Sequence, residues 1–234
     1  MKPAQFDADR TPQWHSVAAT DGELAELAPG AGIARYRLER VLGEGTYGRV
    51  HLARQDVLER KVAVKILHRR HGSKKNEIRA FLNEALILAD LNHPGIVPVY
   101  DAGWTDDGFF YIVSRFVESG DLSTFLARGG RSPEQSARIV MAIAEALDYA
   151  HSRGLVHRDI KPANVLIDLP LKPLLTDFGV ALRDKDFGRG SGLVGTPAYM
   201  SPEQAKGELQ QLGTRSDVYS LGATLYYLDR KSVV

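Results

Sequence analysis

Residues 157–164 read His157-Arg158-Asp159-Ile160-Lys161-Pro162-Ala163-Asn164, and the rest of the chain is best understood outward from this stretch. Asp159 and Asn164 lie five residues apart with Pro162 between them, too tight for a buried helix and suited to a rigid loop. Both side chains offer oxygens, which acid/base work and a hard cation each require. Downstream, Asp177-Phe178-Gly179 adds a second carboxylate beside a glycine. Far upstream, Gly43-Glu44-Gly45-Thr46-Tyr47-Gly48-Arg49-Val50 lies between two strand-like runs. Glycine lets main-chain amides approach phosphate oxygens with no side chain in the way. In a dinucleotide-binding fold the same spacing would open a helix after one strand, and the strand-like flanks argue against that. Taken alone, an ordinary hairpin turn explains these glycines equally well.

From Tyr36 onward, short apolar runs alternate with turn residues: one ends at Leu42, and others cover residues 49–53 and 62–67. That texture predicts an antiparallel meander. In the third run, period-two alternation sends Ala63 and Lys65 to one face and Val62, Val64 and Ile66 to the other. Residues 77–91 place Phe81, Ala85, Leu88 and Ala89 at helical spacing before His93-Pro94-Gly95. Glu84 shares the face of Phe81 and Leu88, and a carboxylate on an otherwise apolar face needs a cation. Residues 96–100 and 109–117 read as two further strands, completing five, and Gly120-Asp121-Leu122 opens helical territory. Ser132-Pro133-Glu134-Gln135 is a helix start: a hydroxyl cap, proline at the first position and Gln three residues after the cap, ahead of apolar residues 139–147.

Of the 234 residues, 44% are hydrophobic and 25% charged, which suits a globular protein of one domain or two lobes. Thirty basic residues against twenty-nine acidic leave a net charge of +1, so no global field draws the chain to nucleic acid or an anionic membrane. Phosphate recognition must be local, and no nucleic-acid partner is expected. The absence of cysteine excludes disulfides, thiolate metal sites and a cysteine nucleophile, and is compatible with a reducing compartment. The longest apolar stretch, 137–147, contains Arg138 and Glu145 and falls short of the ~20 residues of a membrane span. Asp7, Asp9 and Pro3 stand where a signal peptide needs an apolar core. The chain as written therefore reads as neither secreted nor inserted. Residues 1–35 read as a mobile leader, with a short helix around residues 23–27.

The glycine segment, the 157–164 loop and Asp177-Phe178-Gly179, in that order, resemble the eukaryotic-type (Hanks-type) protein kinases, most closely the bacterial serine/threonine branch, from about Tyr36 to Leu228. The resemblance implies an α+β, two-lobed fold. Residues 36–117 would form an N-lobe, with a five-stranded antiparallel sheet and one helix, and the hinge. Residues 118–228 would form a mainly helical, partial C-lobe lacking its last helices. ATP and Mg2+ are the implied cofactors. Gly43, Glu44, Gly45, Thr46, Tyr47 and Gly48 would cover the triphosphate, while Leu42, Val50, Ala63 and Leu166 clamp the adenine. Hinge residues 112–117, including Arg115 and Val117, would bond the base. Ser114 falls at the gatekeeper position, where relatives often carry a larger side chain, so an enlarged back pocket is expected. Arg115 replaces a commonly acidic residue, and nothing in the sequence accounts for it.

By the same resemblance Lys65 would hold the phosphates and pair with Glu84. Asp159 would accept or orient the substrate hydroxyl proton, and Lys161, characteristic of the serine/threonine branch, would contact the transferring phosphate. Asn164 and Asp177 would hold magnesium. His157 is expected to stack on Phe178, Asp217 to hold the catalytic-loop backbone, and Thr196 to touch Asp159 and Lys161. Arg158 would grip a phosphorylated activation segment, for which Ser191, the only hydroxyl between Asp177 and Thr196, is the candidate.

The implied activity is transfer of the ATP γ-phosphoryl group to serine or threonine hydroxyls of protein substrates, with self-association for autophosphorylation. The alternative is a catalytically impaired, nucleotide-binding pseudokinase or fragment. A small-molecule kinase of related fold ranks lower, because it would not need the peptide platform of Gly195-Thr196 and Ser201-Pro202-Glu203. Family members continue beyond Leu228, whereas residues 229–234 (Asp-Arg-Lys-Ser-Val-Val) match the in-frame translation of the start of a widely used sequencing adapter and read as an adapter artefact. Missing helices would bare the apolar faces of residues 218–227 and 139–147 and strand Glu203 without an arginine. The kinase domain is expected in the cytoplasm, with any membrane anchor farther along the full-length protein.

Overall fold

Alternating burial at residues 36–38 and 61–66 sets the strands of the predicted meander. The computed structural model describes residues 32–45, 48–67, 88–105, 109–127, 129, 132–178 and 196–232. Strands β1 (Gly32–Ile33), β2 (Tyr36–Gly45), β3 (Gly48–Gln55), β4 (Arg60–Leu67), β5 (Val99–Trp104) and β6 (Phe110–Arg115) form one six-stranded sheet in the order β1-β2-β3-β4-β6-β5. Val62, Val64 and Ile66 of β4 are fully buried, packed with Tyr36, Leu38, Ala53 and Val113, while Ala63 and Lys65 face the other side. The alternation predicted for this strand is observed.

Two expectations need correction. The sheet has a sixth, two-residue strand inside the stretch assigned to the leader. Ile33 pairs with Tyr36 and is buried in the same cluster, because an apolar side chain just before the first long strand closes that end of the core. Arg35, in the turn that follows, adds an ion pair to Asp101 at 3.0 Å, so residues 32–35 belong to the first lobe. The fourth long strand begins at Val99 rather than at 96. Residues 95–97 instead run parallel to a strand of the second lobe: Leu175 N–H donates to the Gly95 carbonyl at 2.8 Å and Val97 N–H to the Leu175 carbonyl at 2.9 Å. Pro98, with no N–H, marks the switch. The chain then re-enters the sheet, and Arg115 N–H donates to the Pro98 carbonyl at 3.0 Å, so the two connections between lobes are bonded side by side.

The second lobe holds α1 (Leu122–Leu126), α2 (Pro133–Ser152), the hairpin β7 (Val165–Asp168) with β8 (Lys172–Leu175), α3 (Pro202–Ala205) and α4 (Thr214–Ser232). Asp121 caps α1 through Thr124 N–H at 2.9 Å. The predicted start of α2 is a complete capping box: Ser132 Oγ accepts from Gln135 N–H at 3.3 Å and Gln135 Oε1 accepts from Ser132 N–H at 3.1 Å. One core unites Leu122, Ile139, Ile143, Leu147, Val165, Ile167, Leu175, Phe178 and Leu228. Met141 of α2 and Val218, Tyr219 and Tyr226 of α4 are at least half exposed. Among the described residues, no helix is long and apolar enough to cross a membrane.

Candidate active site

Five of the predicted polar residues converge where the lobes meet. Residues 157–164 form the expected rigid loop, ending in a single 3₁₀ turn over Pro162–Asn164. Lys161 Nζ donates to Asp159 Oδ2 at 2.8 Å, and Asn164 Nδ2 donates to the same oxygen at 2.9 Å and to the Asp159 carbonyl at 2.7 Å. The Asp159 carboxylate is thus aimed by two donors from its own loop. Lys65, reaching from β4, forms an ion pair with Asp177 Oδ1. Burial opposes ionisation of Asp177, but the Lys65 ammonium, by charge and hydrogen bond, with help from His157 and Lys161, holds the carboxyl below the usual carboxylate range.

The backbone beneath this cluster is over-determined. Arg158 and Asp177 both adopt positive φ, 67° and 64°, where side-chain-bearing residues are uncommon. Fully buried Asp217 accepts from His157 N–H at 2.8 Å, from Arg158 N–H at 2.6 Å and lies 2.8 Å from His151 Nε2. His157 Nδ1 accepts from Asp159 N–H at 3.3 Å, so Nε2 carries the proton and donates to the Thr176 carbonyl at 2.8 Å. Its ring packs on Phe178 with centroids 4.6 Å apart. The expected places of Asp217 and His157 are therefore observed. Thr196 lines one small cavity with Arg158, Asp159 and Tyr199.

The residues expected to enclose a nucleotide lie on neighbouring strands. Gly43 pairs with Val50, Val50 with Lys65, and Ala63 with Ser114, so β2, β3, β4 and β6 carry them in two cross-strand rows two residues apart. Leu42 is the extra residue of a bulge between Val41 and Gly43. Gly45 pairs with Gly48 at the end of the hairpin, and Glu44 is held by Arg49 at 3.1 Å. Leu166 packs beside Val97, Val117 and Leu174 on the opposite lobe. Thr46, Tyr47, Glu84, Gly179 and Ser191 lie outside the described residues, as does the stretch predicted helical over 77–91 except residues 88–91, of which 88–90 are helical.

Three contacts were not read from the sequence. Arg115 has a partner after all: its Nη2 donates to Asp168 Oδ2 at 2.6 Å, tying the hinge to β7. Glu203 accepts from Ser216 Oγ at 2.5 Å, and that hydroxyl holds its carboxyl below the usual range. Gln204 Nε2 donates to the Arg158 carbonyl at 2.7 Å. Only α3 had a legible signal, because Ser201-Pro202-Glu203-Gln204 repeats the capping pattern that starts α2.

The protein kinase domain family matches residues 36–233. The chain is 40% identical over 197 residues to serine/threonine-protein kinase PrkC of Bacillus subtilis, covering 83% of this chain and 30% of that protein. It is 40% identical over 199 residues to PknB of Mycobacterium leprae, covering 82% and 32%. It therefore spans about a third of the length of these curated relatives. Among solved structures it resembles the Mycobacterium tuberculosis PknI kinase domain, with TM-score 0.70, 32% identity and coverage of 88% of this chain and 78% of that one. The lobes, the loop and its buried aspartate support from the coordinates what these alignments show: the chain belongs to the protein kinase family, beside serine/threonine kinases of bacteria.

Proposed function

We propose that this chain transfers the γ-phosphoryl group of ATP to serine or threonine hydroxyls of protein substrates, including its own activation segment. The observation that carries this reading is the aimed carboxylate of Asp159, held by Lys161 and Asn164 beside the Lys65–Asp177 pair. Asp159 Oδ2 already receives two hydrogen bonds, which fixes the carboxylate to orient an incoming hydroxyl and take up its proton as the new O–P bond forms and the bond from the γ-phosphorus to the bridging oxygen breaks, releasing ADP. Lys161 Nζ, already beside that carboxylate, is placed to neutralise charge on the transferring phosphoryl oxygens. Lys65 would hold the phosphates beneath the glycine hairpin, whose main chain follows them closely.

The donor set fits magnesium, a hard cation. Asn164 spends its amide nitrogen on Asp159, which leaves its carbonyl oxygen as the available donor, and Asp177 supplies a carboxylate kept ionised. Bound magnesium would screen the charge of the phosphate oxygens. Leu42, Val50, Ala63 and Leu166 would sandwich the adenine, with Val117 and Arg115 offering main-chain groups to its edge. Ser191 is the candidate autophosphorylation site and Arg158 its guanidinium partner. The domain would act in the cytoplasm, where ATP and magnesium are supplied.

The test compares phosphotransfer to a serine/threonine substrate by the wild type and by Asp159→Asn. A loss of a hundredfold or more is expected, and equal rates would overturn the enzyme reading in favour of a nucleotide-binding pseudokinase.

A further inference from the structure

We infer that Gln204, on α3, is a positioning residue for Asp159, holding the peptide that carries the aspartate through the Arg158 carbonyl. This rests on the kinase reading above. Gln204 is buried, and its two amide ends do different work. Oε1 accepts from Ser201 N–H at 3.1 Å and Ser201 Oγ at 3.2 Å, completing the cap of α3. Nε2 is not needed for that cap and donates to the Arg158 carbonyl at 2.7 Å. The assignment of nitrogen and oxygen is forced, because the Arg158 carbonyl can only accept and the Ser201 N–H can only donate.

The carbonyl that Gln204 holds belongs to the Arg158–Asp159 peptide, whose N–H donates to His157 Nδ1 at 3.3 Å. That peptide is pinned at both polar ends. The preceding N–H, of Arg158, is taken by Asp217 at 2.6 Å. Arg158 sits at φ 67°, a conformation that persists only where its surroundings enforce it. Asp217 and His157 secure the amide side, and Gln204 secures the carbonyl side from a separate element. Because α3 directly follows the turn at Pro197–Tyr199, a displaced platform would withdraw Gln204 and free the peptide before Asp159.

Gln204→Glu separates the two jobs, since it keeps an acceptor for Ser201 and places an oxygen against the Arg158 carbonyl. Gln204→Met keeps the length without polarity, should the first variant fail to fold, and Ser132→Ala opens the matching capping box of α2 as the control for lost stability alone. All are made in the full chain and compared by steady-state kinetics, melting temperature and amide hydrogen exchange. The expected result is a tenfold or greater fall in kcat with KM for ATP within twofold, and at least tenfold faster exchange at the Asp159 amide. Ser132→Ala should melt lower with kcat and Asp159 exchange within twofold. Wild-type kcat in the Gln204 variants, equal loss in Ser132→Ala, or unchanged Asp159 exchange would each overturn the proposal. If the wild type transfers no phosphate, the kinase reading fails separately, and the exchange measurement still decides the role of Gln204.

Discussion

Arg115 ends β6 and reaches Asp168 at the end of β7, so one ion pair joins the hinge to the second lobe. Its side chains remain 39% and 30% exposed, which limits the contribution to about 1 kcal/mol. Replacing Arg115 with Asp should set two carboxylates face to face and lower the melting temperature, and adding Asp168→Arg should restore it. A double-mutant cycle with no coupling would refute the pairing. Ser114 stands opposite Ala63, one residue before Arg115, and under the proposed reading its small side chain would leave room beside the adenine. Ser114→Met should weaken a bulky purine inhibitor tenfold or more in a competition assay; unchanged affinity would show that the gatekeeper does not set the pocket. Lys65, Asp159, Lys161, Asn164 and Asp177 were legible because each sits in a short segment with its own spacing. Arg115–Asp168 and Gln204–Arg158 join residues 53 and 46 positions apart, and no local pattern announces such a contact.

The same four residues, Ser-Pro-Glu-Gln, start both α2 and α3, at positions 132–135 and 201–204. In the first, the pattern precedes a long apolar periodicity and the helix is obvious from sequence. In the second, the helix is four residues long, too short for periodicity, and only the cap could have revealed it. The glycine hairpin shows a similar split. Gly43 has open space where a Cβ would stand, whereas a Cβ on Gly48 would lie 2.1 Å from the Ile66 carbonyl oxygen of β4. Gly48 is therefore demanded by sheet packing, a reason distinct from the phosphate approach that its spacing announces. Gly48→Ala should destabilise the chain by more than about 2 kcal/mol in urea unfolding, while Gly43→Ala stays within about 1 kcal/mol. Equal effects would mean that β3 and β4 are not so closely apposed. The fourth long strand was misplaced for a related reason: residues 96 and 97 carry strand-forming side chains, but Ile96 N–H donates to the His93 carbonyl and Val97 N–H to Leu175 of β8 in the other lobe.

At the scale of the whole molecule, α4 buries Leu221 and Leu228 while leaving Val218, Tyr219 and Tyr226 in water, with Met141 of α2 exposed as well. Exposed apolar surface of this kind limits solubility. The double variant Val218→Glu, Tyr226→Glu should raise the concentration at which light scattering reports a monodisperse sample, without altering the melting temperature by more than a few degrees; no change in solubility would show the face to be harmless. The two lobes and their order along the chain were legible from runs of strand texture followed by helical texture. The manner of their joining was not, since it rests on main-chain bonds at Pro98 and Leu175. The connection is a two-ply ribbon: one ply passes through Pro98, the other through Arg115, and a hydrogen bond laces them. A ribbon bends more easily across its thin direction than within its own plane. Unlacing the plies would remove that asymmetry and leave each crossing to flex as a single strand.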